Sequence, residues 1–255
     1  MRHAPVTPNG DLIRWVDIPG AEPARLYLHG LGASSPAYFA AAAAHPVLTG
    51  HRSLLLDLLG FGLSDRPADF PYTREAHADA VAAALTDAGL AGVDVVGHSM
   101  GGAIAVVLAA RHPHLVSRLV LVDAGIDPAP APQTPGSTGI TGFTEEEFLA
   151  GGWRPTRERV GPAWWSTMRL AGRTALYRSA VDRARATSPT VRELLLGLPG
   201  PRTFLYPAAD GELPGAEGLV ASGVTVRAVP DCGHNIMLDN PDGFAREVAR
   251  ALATD

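Results

Sequence analysis

The residues Gly97-His98-Ser99-Met100-Gly101 stand between an apolar run, Val93 to Val96, and a small-residue stretch that begins at Gly101. That spacing predicts a strand, a sharp turn and a helix, with Ser99 at the tip and at positive φ. Glycine at 97 and 101 has no Cβ, so strand and helix can come close enough for the turn to form. A serine hydroxyl is a poor nucleophile at neutral pH; it needs a base, and the base needs an orienting acid. The late histidine that fits is His234, in Asp231-Cys232-Gly233-His234, just past the last apolar run. For the acid the reading favours Asp210, in Pro207-Ala208-Ala209-Asp210-Gly211, directly after the run Thr203–Tyr206. Asp123, which closes the run Leu119–Val122, is the alternative acid. By itself the pentapeptide is equally compatible with a glycine-rich turn that happens to contain serine. The order Ser99, Asp210, His234, each at the carboxyl end of a strand, favours chemistry, because open α/β sheets place their sites there.

The elements that must position these groups follow from the pattern of short apolar runs. Asp11–Ile18 reads as an early antiparallel strand after the turn signal Asn9-Gly10. Arg25–Leu28, Ser53–Leu56, Val93–Val96, Leu119–Val122, Thr203–Tyr206 and Val224–Val229 read as further strands. Helices are predicted over Ala37–Leu48, from the cap Thr73 to about Gly89, from Gly101 to about His112 before Pro113, and from Asn240-Pro241 to Ala253. Short strands alternating with helices indicate parallel βαβ units in a doubly wound α/β sheet.

Between Ile126 and Leu196 the rhythm stops. The stretch opens on Asp127-Pro128-Ala129-Pro130-Ala131-Pro132, a stiff extended linker. Helical patterns follow at Thr144–Ala150, Pro162–Leu170 and Thr174–Thr187. The expected organisation is a core domain of residues 1–125 and 197–255 with a helical cap, or lid, of residues 126–196, since long structured insertions commonly form lids. The insertion carries three of the four tryptophans and nine arginines. Most of the arginines read as a solvated face, with one available to hold a substrate carboxylate or phosphate.

Composition narrows the function. The chain has 255 residues, 46% hydrophobic, enough for one α/β domain with an insertion. All 21 basic residues are arginine, so Schiff-base chemistry and a lysine base are excluded. A formal charge of −5 with no basic run argues against a nucleic-acid partner. No apolar stretch is long enough to span a bilayer, and the polar, proline-broken Met1–Gly10 lacks the apolar core of a signal peptide. One cysteine, Cys232, excludes an internal disulfide and fits a reducing compartment. The expected location is the cytoplasm. His112 and His114 flank Pro113 without a carboxylate partner, so no metal site is expected.

The chain resembles the α/β-hydrolase superfamily, in its capped esterase and haloperoxidase-like branch. The resemblance rests on His29-Gly30-Leu31-Gly32, Asp57-Leu58-Leu59-Gly60-Phe61-Gly62-Leu63-Ser64-Asp65, Gly97-His98-Ser99-Met100-Gly101-Gly102 and Gly233-His234, which cover the chain except the insertion. It implies a mostly parallel eight-stranded sheet flanked by helices. It also implies that the backbone N–H groups of Leu31 and Met100 form the oxyanion hole, a role amides suit because acyl transfer places negative charge on the carbonyl oxygen.

The expected activity is that of a carboxylesterase-like serine hydrolase, needing no cofactor, which cleaves an ester, thioester or lactone with an apolar portion through an acyl-enzyme. His29, His98, Trp153, Trp164, Trp165 and Met168 are the candidate pocket residues, with His98 packing beside the turn. Serine at the turn argues against the epoxide hydrolases and haloalkane dehalogenases of this fold, which carry aspartate there. Carbon–carbon bond hydrolysis remains an alternative, although Asn235 stands where that branch tends to show an aromatic. A lyase or cyclase on the same scaffold and, less favoured, a non-catalytic receptor are the other readings.

Overall fold

A computed structural model of the chain describes residues 1–128, 131–132, 134 and 137–253. Eight strands form one sheet: β1 (Arg2–Pro5), β2 (Leu12–Ile18), β3 (Ala21–Leu28), β4 (His51–Asp57), β5 (Val93–His98), β6 (Val116–Val122), β7 (Arg202–Pro207) and β8 (Val224–Val229). Their order is β1-β2-β4-β3-β5-β6-β7-β8. The pairs β1–β2 and β2–β4 are antiparallel and the other five are parallel, as the alternation of strands and helices predicts. β1 was not expected from the sequence. It is a four-residue edge strand with only Ala4 buried, too short to show a period-2 pattern.

Ten helices accompany the sheet among the described residues: α1 (Ser35–Ala43), α2 (Arg74–Asp87), α3 (Met100–Arg111), α4 (Glu145–Glu147), α5 (Trp153–Met168), α6 (Arg173–Ala184), α7 (Val191–Gly197), α8 (Ala216–Ala221), α9 (Ile236–Asp239) and α10 (Pro241–Leu252). One face of the sheet packs on α2 and α3 and the other on α1, α9 and α10, which leaves a hydrophobic cluster on each side. The caps read from sequence are in place: Thr73 Oγ1 accepts from Ala76 N at 3.1 Å, and Asn240 Oδ1 from Gly243 N at 2.9 Å. α3 is buried all round from Met100 to Ala109, so it is a core helix rather than an amphipathic one.

The helices α4 to α7 lie between β6 and β7. Part of the proline-rich run that precedes them, Ala129 and Pro130, lies outside the described residues. A π-helical turn, Phe148–Gly152, joins α4 to α5, and α5 breaks at Gly161 (φ 72°) ahead of Pro162. The sequence signal for helix began only at Pro162 because proline conceals helix on its N-terminal side. α7 was missed altogether. Its signal was legible, since Thr190 and Glu193 form a reciprocal capping box at 3.1 and 2.7 Å. α7 packs against α3.

Polar contacts, one of them buried, fasten this insertion to the core. Asp182 on α6 accepts from Arg74 N at 2.9 Å and Nε at 2.8 Å, a pair almost wholly shut away from water. Arg66 donates to Leu170 O at 2.6 Å, and Arg178 to Ala68 O at 3.0 Å. Beneath them His77 sits among the rings of Phe61, Phe70 and Tyr72, with its Nδ1 buried and unpartnered. Burial, followed by the neighbouring His29, pushes the His77 imidazole down to about 3. The unfolded ring protonates near pH 6.5 and the folded one only near 3, so stability is full above that window and is lost as pH falls through it. His77→Leu is therefore expected to reduce the loss of unfolding free energy between pH 7 and pH 5 by about 2 kcal/mol, measured by urea denaturation. An unchanged difference between the two pH values would show that the ring is not held neutral.

Candidate active site

β5 delivers Ser99 to the rim of the sheet. The residue has φ 52° and ψ −117°, a conformation that costs a side-chain-bearing residue about 1–3 kcal/mol and persists only where its surroundings over-determine it. They do. Ser99 N donates to Val122 O at 3.0 Å, while Ser99 O accepts from Gly102 N and Gly125 N at 3.1 Å each. A Cβ on Gly97 would meet Gly101 O and Gly102 Cα at 2.7 Å, and one on Gly101 would run into Leu28 O. Any side chain at either position would push strand and helix apart. Ser99 precedes the first turn of α3, whose free N–H groups and dipole favour negative charge.

The carboxylate that meets His234 is Asp123. Its Oδ2 lies 2.5 Å from His234 Nδ1. The sequence reading favoured Asp210, and the geometry corrects it: Asp210 ends an exposed 3₁₀ turn, Ala208–Asp210, with no hydrogen bond or ion pair among the described residues. The reason lies in strand order. β6 is the immediate neighbour of β5, and His98 pairs with Val122, so Asp123 and Ser99 are the next positions in one register. β7, which carries Asp210, is one strand further away. Asp123 is held at φ 42° by its own N–H, which donates to Leu205 O at 2.7 Å. Aspartate is among the few residues that tolerate such a backbone. An ionised carboxylate can only accept, so Nδ1 of His234 is the donor in this contact.

Ser99 and His234 line one cavity of about 290 Å³. Of the six candidate pocket residues, the structure brings His98 and Trp164 to this cavity and not the other four. His29 is fully buried, with Nδ1 donating to Gly30 O at 2.7 Å and Nε2 accepting from Leu58 N at 3.1 Å. Trp153 and Trp165 stack on each other at 6.1 Å beneath arginine guanidinium groups. Met168 is buried against Gly32. These aromatics and the methionine were drawn from composition, which cannot tell packing within the insertion from contact with a ligand. Tyr38, Thr138 and Arg183 line the cavity without having been singled out for it.

Two contacts join the cavity walls to the Leu31 loop and to His234. Trp164 Nε1 donates to Leu31 O at 2.9 Å, so α5 holds the loop at Leu31, a buried residue whose N–H has no acceptor among the described residues. His98 Nε2 donates to His234 O at 2.9 Å, which leaves His98 Nδ1 as a buried acceptor with no partner. Burial, then the adjacent His234, holds the His98 ring well below the ordinary imidazole range, so it is neutral. Met100 N–H opens α3, where no intrahelical acceptor exists.

Asp57 is a structural carboxylate: it accepts from Ser35 N and Leu63 N at 2.8 Å each and so organises the loop after β4. Cys232 Sγ donates to Val229 O at 3.2 Å, and burial pushes its thiol up. Among the described residues no group of three or more His, Cys, Asp or Glu is arranged to hold a metal, and no helix is long and apolar enough to cross a membrane.

Comparison with known proteins agrees with this architecture. A family model described as alpha/beta hydrolase fold matches residues 26–211. The 2-hydroxymuconate semialdehyde hydrolase of Pseudomonas sp. strain CF600 is 37% identical over 206 residues, 80% of this chain and 65% of that protein. The chain thus spans less than two thirds of the length of the curated relatives it matches first. Among solved structures, an esterase from Exiguobacterium antarcticum superposes with a TM-score of 0.80 at 20% identity, covering 98% of this chain and 99% of that one. The bromoperoxidase from Bacillus anthracis gives 0.80 at 16% identity, covering 98% and 99%. With an eight-stranded sheet in this order and a family match over most of its length, the chain belongs to the alpha/beta hydrolase fold family.

Proposed function

We propose that the protein is a serine hydrolase that cleaves a small carboxylic ester, thioester or lactone through an acyl-enzyme. One observation carries the reading: a strained Ser99 and the His234–Asp123 pair meet at a single cavity. His234 Nε2 takes the Ser99 proton as Oγ attacks the substrate carbonyl. The amides of Leu31 and Met100 hold the resulting oxyanion, each donor contributing about 2.7–4 kcal/mol. Collapse of the tetrahedral intermediate expels the alcohol or thiol, which receives the proton from His234, and leaves the acyl group on Ser99. Water, deprotonated by the same imidazole, releases the acid and restores the serine. Asp123 stabilises the imidazolium and fixes its tautomer. The scheme balances with water alone and needs no cofactor. Residues 126–196 act as the cap, Trp164 supplying an apolar wall and bracing the Leu31 loop. The partner is a small molecule rather than a nucleic acid or a membrane, and the place of action is the cytoplasm.

A second reading, hydrolysis of a carbon–carbon bond, is favoured by the 37% identity to the 2-hydroxymuconate semialdehyde hydrolase. Against it, Asn235 follows His234 and adds no aromatic wall to the cavity.

A panel of aryl and alkyl esters, thioesters and lactones decides the reading. The wild-type protein is expected to turn over at least one class and to be labelled at Ser99 by a fluorophosphonate, with Ser99→Ala losing both. Labelling without turnover of any of them would sink the hydrolase reading in favour of a lyase or cyclase. Asp123→Asn is expected to lower kcat by about 10⁴, as loss of the orienting acid does elsewhere, and to abolish the low-field proton resonance of His234 Nδ1. Asp210→Asn is expected to leave both intact; the reverse pattern would reinstate Asp210. Trp164→Phe keeps an aromatic wall, smaller than the indole, and removes the N–H, so kcat is expected to fall about tenfold, less than on loss of a donor itself, with the smaller change in KM. A change confined to KM would make Trp164 a wall of the cavity and nothing more.

A further inference from the structure

One charge in the cavity has nothing to balance it. Arg183, on α6, lines the same space as Ser99 and His234 and is only partly exposed. It makes no hydrogen bond and no ion pair among the described residues. The carboxylates on the segments around it are committed elsewhere. Asp182 is taken by Arg74 and Arg185, Asp123 by His234, and Asp127 by Arg192. The other cation that acts on it, Arg74, repels it, and burial followed by that repulsion pulls the guanidinium below its usual range. A guanidinium remains charged in a protein, and removing it partway from water with no counter-charge is costly.

Its place is beside the nucleophile. A Cβ on Gly125 would stand 3.7 Å from Arg183 Nη2, 3.9 Å from Nε and 4.0 Å from Ser99 O. The bare Gly125 backbone therefore seats the guanidinium against the turn that holds Ser99. One ligand in a cavity of about 290 Å³ can meet both groups.

We propose that Arg183 anchors a carboxylate on the substrate, so that the preferred substrate is an acyl compound carrying a second, ionised carboxyl group. The proposal rests on the serine-hydrolase reading and names the substrate class of that site. A carboxylate suits better than a phosphate: the planar fork of the guanidinium matches two carboxylate oxygens, and one cation matches one negative charge.

Matched substrates test it: the 4-nitrophenyl monoester of glutarate, with a free carboxylate, and 4-nitrophenyl valerate, its neutral counterpart of the same chain length. Wild type is expected to prefer the anionic ester by about tenfold to a hundredfold in kcat/KM, chiefly through KM. Arg183→Met is expected to bring the ratio of the two kcat/KM values to about one, whatever its effect on the neutral ester alone, and an unchanged far-ultraviolet circular dichroism spectrum reports that the variant is folded. Arg183→Lys should keep part of the preference, since the charge remains and the fork is lost. Equal use of the two esters by wild type, or a preference that survives in Arg183→Met, would overturn the proposal. Calorimetry separates this failure from failure of the hydrolase reading. Monomethyl glutarate is expected to bind Ser99→Ala and not Ser99→Ala/Arg183→Met, whether or not any ester is turned over. Equal binding to both, binding to neither, or stronger displacement by inorganic phosphate than by acetate overturns the carboxylate anchor on its own.

Discussion

The backbone of Ser99 is the constraint on which the site depends. Its conformation is unfavourable in isolation, and three hydrogen bonds together with the close approach of β5 and α3 hold it. Those bonds reach Val122 and Gly125, so β6 and the residues just after it are part of the turn rather than a separate support. The packing that allows this is dense and apolar: α3 is buried on every side, and β5 has no exposed residue. A buried helix of small side chains can sit directly under the strand, and the strain is distributed into core packing. The hydroxyl is thereby fixed at the sheet rim without any side-chain bond of its own to hold it there.

The same coupling explains why Asp123 and not Asp210 meets the histidine. From the sequence each candidate acid follows an apolar strand, and nothing local separates them. What separates them is lateral position in the sheet, a non-local property that depends on β6 pairing directly with β5. Strand type, the turn and the capping residues Thr73 and Asn240 were legible because each has a signature within a few residues. The edge strand β1 was not, being too short to show alternation, and α7 was overlooked although Thr190 and Glu193 mark its start. Asp123 carried one local cue, its place between a strand and Ala124-Gly125, and it is Asp123 itself that takes the positive φ.

The insertion illustrates a different limit. Its tryptophans and arginines are conspicuous in composition, yet most of them serve one another: Trp153 stacks on Trp165, and Arg154 and Arg173 lie over Trp153. Arg178, Arg185 and Arg192 each find a carboxylate. Composition could name the pool but not the member that faces the cavity, because the sorting is done by pairing between elements distant in sequence. After that sorting Trp164 and Arg183 remain at the cavity, one bonded to the Leu31 loop and the other with no hydrogen bond or ion pair among the described residues.

These two residues reach the site on different helices, α5 and α6, and each bears on a different part of it. Trp164 acts on the Leu31 loop, where negative charge develops if an acyl group is attacked, and so bears on the rate. Arg183 stands against Gly125, beside the Ser99 backbone, where on the proposed reading a fixed negative charge on a ligand is held, and so bears on selection. The insertion is tied to the core through the buried pair of Arg74 with Asp182, the residue before Arg183. That tie fixes the helix that carries the free guanidinium, and it does so by removing from Arg183 the carboxylate nearest to it in the chain. A single aspartate thus both secures α6 and, among the described residues, leaves its neighbour's charge unanswered, so on the proposed reading the contact that docks the insertion is also the one that frees the anchor for an anion.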